Sequence, residues 1–213
     1  MMMNKELVLL GGGGHCKSVI EVAEGLGYHI LGILGKPSEV GKRVLDYSVI
    51  GTDDDMPLYA GRAEFVVTVG QIKDVSIRKL LHAKVKSVGG SLATLIASTA
   101  HVSRYAQIGE GTVVMHYAMV NASAVIGTGC ILNTYCNIEH DAVIGDFCHI
   151  STGTMINGAC SVGSDSFVGS QSVMANGTSL CGGCVIAAGS FIRKSLNIKG
   201  VYAGNPALLK IKL

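Results

Sequence analysis

The sequence predicts a solenoid of short strands, a parallel β-helix, preceded by a small α/β unit with a Rossmann-like βαβαβα order and closed by a short carboxyl-terminal cap. Three observations predict it. Stepping by six from Ile96 meets Ile96, Val102, Ile108, Val114, Val120, Ile126, Leu132, Ile138, Ile144, Ile150, Ile156, Val162, Val168, Met174, Leu180, Ile186 and Ile192, seventeen aliphatic residues in phase without an insertion. Four residues after each of the first sixteen sits a small side chain, from Ala100 and Ala106 through Cys130, Cys136 and Cys148 to Cys184 and Ser190. Upstream of Ile96, apolar runs alternate with helically spaced segments around four consecutive glycines.

A period of six matches neither the 3.6 of a helix nor the 2 of a strand, so each hexad is a short strand segment ended by a turn. Repeats of this kind bury a core only by stacking on their neighbours. The aliphatic residue fills the coil interior, and the residue four on is small because the chain bends there inside a narrow lumen. Gly109-Glu110-Gly111 and Gly127-Thr128-Gly129 serve the bends. The expected division is an α/β unit over residues 1–90, the solenoid over 91–194 and the cap over 195–213.

In the α/β unit, Glu6 to Leu10 reads as a buried strand. Cys16 to Leu26 has helical spacing, with Val19, Ile20, Val22, Ala23 and Leu26 on one side and Gly27 as the stop. Tyr28 to Leu34 and Phe65 to Val69 are further strands. Val75 to Val85 is a second helix with Ile77, Leu80 and Leu81 facing in. The alternation implies a parallel sheet.

Composition removes several functions. Aromatic residues are 5% of the chain and Trp is absent, as a narrow lumen packed with Ile and Val requires. A net charge of +2 excludes a nucleic-acid surface built on bulk charge. Lys5 is followed by only four apolar residues, Leu7 to Leu10, too few for the apolar region of an export signal, and no run of 18 apolar residues exists to span a membrane. The expectation is a cytoplasmic enzyme. Of seven cysteines, Cys130, Cys136, Cys148, Cys160 and Cys184 fall on the small position of the hexad and read as core fillers. Cys181-Gly-Gly-Cys184 has redox or zinc spacing without a second pair, so reduced thiols are expected.

Gly11-Gly12-Gly13-Gly14-His15 joins a strand to a helix, where backbone N–H groups and the helix end suit a phosphate. A dinucleotide fingerprint would need Gly or Ala at Cys16 and an acid after the second strand, where the chain instead runs Leu34-Gly35-Lys36. A P-loop lacks its second glycine. A tight turn without a ligand stays open as the alternative.

Most hexads are bland, so the polar stretch Asn133-Thr134-Tyr135-Cys136-Asn137-Ile138-Glu139-His140-Asp141, continuing to Asp146-Phe147-Cys148-His149, stands apart. A histidine flanked by two carboxylates suits general-base work, since an acid on one ring nitrogen fixes the tautomer and stabilises the imidazolium. Either Glu139 or Asp141 could orient His140, and the bland alternative is a solvated turn. His101 and His116 take outward positions, while His29 and His82 have no cluster around them. A zinc site would need three converging histidines, and the helpful pair five residues apart is missing, so no metal is expected. Gly158, Gly169, Ala188 and Gly189 offer uncrowded backbone along which an extended ligand could lie.

These residues resemble the hexapeptide-repeat acyltransferases, and the whole chain is similar to their subfamily of sialic acid O-acetyltransferases and N-acetyltransferases of nucleotide-linked 4-amino sugars. The resemblance implies a left-handed helix with three hexads per 18-residue coil, against the usual crossover preference. It implies acetyl-CoA as donor and no metal. Gly11, Gly12, Gly13, Gly14 and His15 would belong to the sugar-nucleotide pocket. His140 would be the base beside Glu139 and Asp141, with Asn133 in the matching Leu-Asn-Thr run, His149 at the acetyl end of the cofactor and Phe147 between them. Gly204-Asn205-Pro206-Ala207 resembles the segment closing the acyl-CoA site, with Arg193, Lys194 and Lys210 suited to the CoA phosphates. Members commonly carry Asp after the second strand to hold the base; the matching places here are Gly35 and Lys36, which leaves room for another nucleotide or a free sugar.

His140 and His149 lie nine residues apart, half a coil, so within one chain they point to different faces. A homotrimer with sites between subunits follows, as the family also implies. The expected activity is acetyl-CoA-dependent N-acetylation of a nucleotide-linked amino sugar. O-acetylation of sialic acid, or a non-catalytic trimeric scaffold binding a nucleotide sugar, are the alternatives.

Overall fold

The structure, a computed structural model, describes residues 5–213; residues 1–4 of the first expected segment lie outside it. The chain begins with strand β1 (Glu6–Leu10), helix α1 (Gly14–Gly25) and strand β2 (His29–Gly35). A hairpin of β3 (Arg43–Val44) and β4 (Tyr47–Thr52) comes next, followed by β5 (Glu64–Val67), helix α2 (Ser76–Ser87) and β6 (Ser91–Leu92). The sheet order is β3-β4-β2-β1-β5-β6, parallel except for the β3–β4 hairpin. β1 is central and its Leu7 to Leu10 are fully buried, as both faces of a parallel sheet are covered.

Two departures from the sequence reading occur here. The segment after β2 supplies the strand β4, with 3₁₀ turns at Pro37–Glu39 and Asp53–Leu58 where a helix was expected. The inward face of α2 also has a different phase. Ile77 and Leu80 are 54% and 65% exposed, whereas Arg78, Leu81, His82 and Val85 are buried. The helix packs against the solenoid as well as the sheet, and the face turned that way carries polar side chains that an apolar count passes over. Gly27 ends α1 as expected, with φ +76° and its N–H bonded to the Glu24 carbonyl at 2.9 Å.

The solenoid is a left-handed parallel β-helix of seventeen two-residue strands from Leu95–Ile96 to Phe191–Ile192. The second residue of each is the aliphatic residue of the hexad. Pairing advances by one coil of 18 residues, as in Val113 with Ile131, Met119 with Asn137 and Val125 with Val143. Three flat faces result. The first presents Leu95, Val113, Ile131, His149, Phe167 and Val185 outward, the second His101, Met119, Asn137, Met155, Val173 and Phe191, and the third Gln107, Val125, Val143, Ser161 and Ser179.

Between faces the chain turns at the residue three after each aliphatic. From Gly111 to Gly189 that residue takes a left-handed φ, as at Tyr117, Tyr135, Asp141, Phe147 and Gly129. The small residues then point into the lumen and many are donors: Thr112 Oγ1 donates to the Gly127 carbonyl at 2.8 Å, Ser172 Oγ to Ala187 at 3.0 Å and Cys148 Sγ to Gly163 at 3.3 Å. The slot therefore selects for a small side chain that can satisfy a corner carbonyl of the next coil, which explains Ser, Thr and Cys there as well as Ala.

The α/β unit rests on the first face. Leu95, Ala97, Val113 and Met115 share a core with Cys16, Val19, Ile20 and Ala23. At the far end Gly200–Ala203 extends the first face in parallel and Leu208–Lys212 folds back on it. Tyr202 joins the lumen core and covers the last coil. No helix among the described residues is long and apolar enough to cross a membrane.

Candidate active site

The corner between the second and third faces carries Glu139, His140 and Asp141. The Nδ1–H of His140 donates to Asp141 Oδ2 at 2.8 Å, so Asp141 orients the ring, and the left-handed turn at Asp141 brings its carboxylate there. This hydrogen bond raises the pKa of His140 above the ordinary histidine value, with the charges of Asp141 and Glu139 adding to it. Glu139 does other work. Its two oxygens accept from the side-chain amides of Asn137 and Asn121, both at 2.9 Å, which lowers its pKa.

The coil below places Gly158 under the imidazole. A β-carbon there would lie 2.7 Å from His140 Nε2, and 3.4 Å from Asn176 Nδ2 of the following coil. With Nδ1 protonated toward Asp141, Nε2 holds the free lone pair beside that space. The arrangement is an exposed imidazole with a fixed tautomer, its Nε2 edge seated where Gly158 lacks a β-carbon. Gly158, grouped with the cofactor path in the sequence reading, lies against the His140 ring.

The other expected cofactor residues lie along a different corner, between the first and second faces. Asn133 and Gly169 occupy one column of it, and Ala188, Gly189 and Gly204 continue it toward the cap. Asn133 leads to His149 on the first face: Asn133 Nδ2 lies 3.2 Å from His149 Nε2, and His149 Nδ1 lies 2.8 Å from the Gln71 carbonyl. A carbonyl can only accept, so Nδ1 carries the proton and Nε2 accepts from the amide. Burial pushes the pKa of His149 down to about 4, against which the Gln71 bond works.

The glycine turn and His15 line a cavity of about 270 Å³ at the carboxyl ends of the parallel strands. Its wall continues with Gly35, Lys36 and Glu39 after β2, Asp53 after β4, Thr68, Val69 and Gly70 after β5, and Ile77 and Leu81 of α2. Gly13 caps α1 without a side-chain bond, so no side chain competes with an anion for the first-turn amides, of which Cys16 N–H is bonded to the Gly13 carbonyl at 3.1 Å. His15 stands where this cavity meets the solenoid. Its pKa is pushed down to about 3, first by burial and then by neighbouring His149 and Arg78.

Sequence reasoning missed the polar joint behind these groups. Arg78 is buried and donates to the carbonyls of Val69 at 2.5 Å and Gly129 at 2.7 Å, tying β5 to the solenoid. Gln71 Nε2 donates to the Phe147 carbonyl at 2.6 Å. His82, expected to stand alone, is buried edge-on against Phe147 with ring centroids 5.0 Å apart. Asp53 was missed because β4 was, and the rule that strand ends line the crevice would otherwise have pointed to it. Glu39 was missed because the 3₁₀ turn at Pro37–Glu39 brings it back against Gly35.

The structure brings together three groups of expected residues: His140 with Asp141 and Gly158, Asn133 with His149, and the glycine turn with His15. The second and third adjoin each other, whereas His140 stands on the corner opposite the face that carries them. Among the described residues no cluster of three or more His, Cys, Asp or Glu is placed to hold a metal.

The PglD N-terminal domain family matches residues 6–85, and the hexapeptide repeat of succinyl-transferase matches residues 160–194. Over 97% of this chain and 100% of the other, the structure is similar to the acetyltransferase domain of PglB from Neisseria gonorrhoeae, at 31% identity and a TM-score of 0.89. The chain belongs to the hexapeptide-repeat sugar acetyltransferases. That PglB domain has also been solved with acetyl coenzyme A. The acetyltransferase is likewise similar to PerB from Caulobacter crescentus, solved with CoA and GDP-perosamine, at 29% identity over 96% of this chain and 97% of the other with a TM-score of 0.90. Among curated proteins no relative matches.

Proposed function

We propose that this acetyltransferase transfers an acetyl group from acetyl-CoA to the amino group of a nucleotide-linked amino sugar, with His140 as general base. The observation that carries the reading is the His140–Asp141 pair, with Nε2 free over Gly158. The relatives solved with acetyl-CoA, or with CoA and a nucleotide amino sugar, support it.

In this mechanism the amino group of the acceptor lies against Nε2, which takes its proton as the nitrogen attacks the thioester carbonyl, and Asp141 stabilises the imidazolium. Bound acetyl-CoA supplies the acetyl group, lying along the corner of Ala188, Gly189 and Gly204, where Gly189 faces open space. Gly169, expected to be uncrowded, is closed by the next coil, whose Ala188 nitrogen would lie 2.6 Å from a β-carbon there. His149 has its Nδ1–H committed to Gln71 and its Nε2 committed to Asn133, so the developing oxyanion falls to backbone N–H groups. The phosphates of the acceptor sit at Gly11–Gly14, and His15 borders the sugar. The cysteines on lumen positions are buried, and an acyl-enzyme has no part.

One chain holds the acceptor cavity and His140 on opposite sides, so the site is completed by another copy. Exposed Met119 and Met155 on the second face and Val125 and Val143 on the third flank the His140 corner, an apolar border suited to such contact. The assembly is a homotrimer acting in the cytoplasm, with residues 1–90 binding the nucleotide, 91–194 carrying the chemistry and 195–213 closing the solenoid. Incubation with acetyl-CoA and a panel of nucleotide-linked 4-amino sugars and sialic acids, followed by thiol release, tests the activity. Turnover of sialic acids alone would overturn N-acetylation. Light scattering tests the assembly, and a single species of monomer mass at working concentration would refute it.

A further inference from the structure

The end of the acceptor cavity farthest from the solenoid is formed by the strands β2 and β4. Gly35 is buried there, and its missing β-carbon leaves a space 3.0 Å from Glu39 Oε2. Glu39 Oε2 accepts the Lys36 backbone N–H at 3.0 Å, which fixes the carboxylate and leaves Oε1 unused by that bond. Asp53, the first residue after β4, lines the same wall. Burial raises its pKa, Lys84 opposes this and Asp54 and Glu39 add to it; no hydrogen bond contributes. Lys36 stands at the rim. The glycine turn follows β1, between this end and Thr68, Val69 and Gly70 after β5. With the phosphates at the turn and the sugar toward His15, the β2–β4 end receives the base.

From the carboxylates on this wall we infer that the nucleotide of the acceptor is a guanosine diphosphate, its base held by Asp53 and Glu39; this rests on the nucleotide-sugar reading of the cavity. A carboxylate only accepts hydrogen bonds, so the base must present donors. Guanine alone among the common bases offers two adjacent donors on one edge, N1–H and the exocyclic amine, matched to the two oxygens of a carboxylate. Uracil and thymine present one N–H between two carbonyls, and cytosine and adenine present an amine beside a bare ring nitrogen. Each of these sets a lone pair against carboxylate oxygen, a repulsion that rejects the wrong base as firmly as the bonds hold the right one. Lys36 at the rim is placed to donate to guanine O6. The absence of Asp at positions 35 and 36 then reflects acids carried elsewhere on the same wall.

Calorimetric titration of the full-length protein with GDP, UDP, dTDP, ADP, CDP and IDP tests this, repeated on Asp53→Asn and Glu39→Gln. Expected are binding of GDP about tenfold or more tighter than UDP, a loss of about tenfold for IDP, which lacks the exocyclic amine, and a loss of similar size for GDP with Asp53→Asn. UDP or dTDP binding as tightly as GDP would overturn the guanine assignment and leave the nucleotide cavity standing. So would GDP affinity unchanged within twofold in both variants. Failure of every diphosphate to bind would overturn the reading of the cavity along with it.

Discussion

Gly158→Ala separates two roles for one residue. The added β-carbon would sit 2.7 Å from His140 Nε2 and 2.8 Å from Cε1, about 0.7 Å inside ordinary contact at 3.4 Å. Gly158 has no left-handed φ, so the backbone accepts alanine. The neighbour that must give is the end of an exposed side chain, so the fold loses little, on the order of 1 kcal/mol or less. Catalysis loses more. Either the methyl group occupies the approach to Nε2, or the ring swings away and lengthens its 2.8 Å bond to Asp141. A misplacement approaching 1 Å at a reacting group costs about a hundredfold in rate. The expected result is kcat lowered by about tenfold to a hundredfold, with the KM for acetyl-CoA within threefold and the thermal midpoint nearly unchanged. Initial rates followed by loss of thioester absorbance, with a thermal melt alongside, measure all three. A raised KM for acetyl-CoA with kcat within twofold would refute the argument and return Gly158 to the cofactor path.

Further outcomes follow from the same geometry. His140→Ala should lower turnover about a hundredfold or more, and near-normal rates would remove it from the mechanism. A base works unprotonated, so activity falls as pH drops through the raised pKa of His140. Asp141→Asn, which keeps a residue tolerant of the left-handed turn, should move that acid limb to lower pH as well as lowering the rate. The half-buried His15 and His149 are neutral in the fold, with pKa values of about 3 and about 4, and protonate near 6.5 when unfolded. The unfolded chain therefore binds more protons below pH 6.5, and stability is complete above that value and lost as pH falls toward 4. At pH 5 each withdraws about 2 kcal/mol, and denaturation midpoints equal at pH 7 and pH 5 would contradict this. In the native protein a thiol reagent should reach Cys181 first, because the other six cysteines are buried; rapid reaction of several thiols would show an open lumen.

The sequence reading was strongest where the physics is local and repeated. Seventeen in-phase aliphatics determine a coil because each hexad has the same task, so one insertion would have shown. The Ile-Glu-His-Asp run was legible for the same reason, as a polar break in a bland background. The choice between Glu139 and Asp141 was not, because it depends on Asn121, one coil above, and Asn137 engaging the glutamate and on a left-handed φ turning Asp141 back onto the ring.

Residue spacing by itself determined the solenoid, its register, the lumen residues and the candidate base, since stacking identical turns leaves little else for such a pattern to do. Tertiary structure decided which side of α2 faces inward, that Arg78, Gln71 and His82 form the joint between the two units, and that Glu39 and Asp53 stand on the cavity wall with the glycine turn. Those contacts join residues far apart in the chain, and their free energy comes from satisfying backbone carbonyls and buried rings, for which apolar periodicity carries no signal.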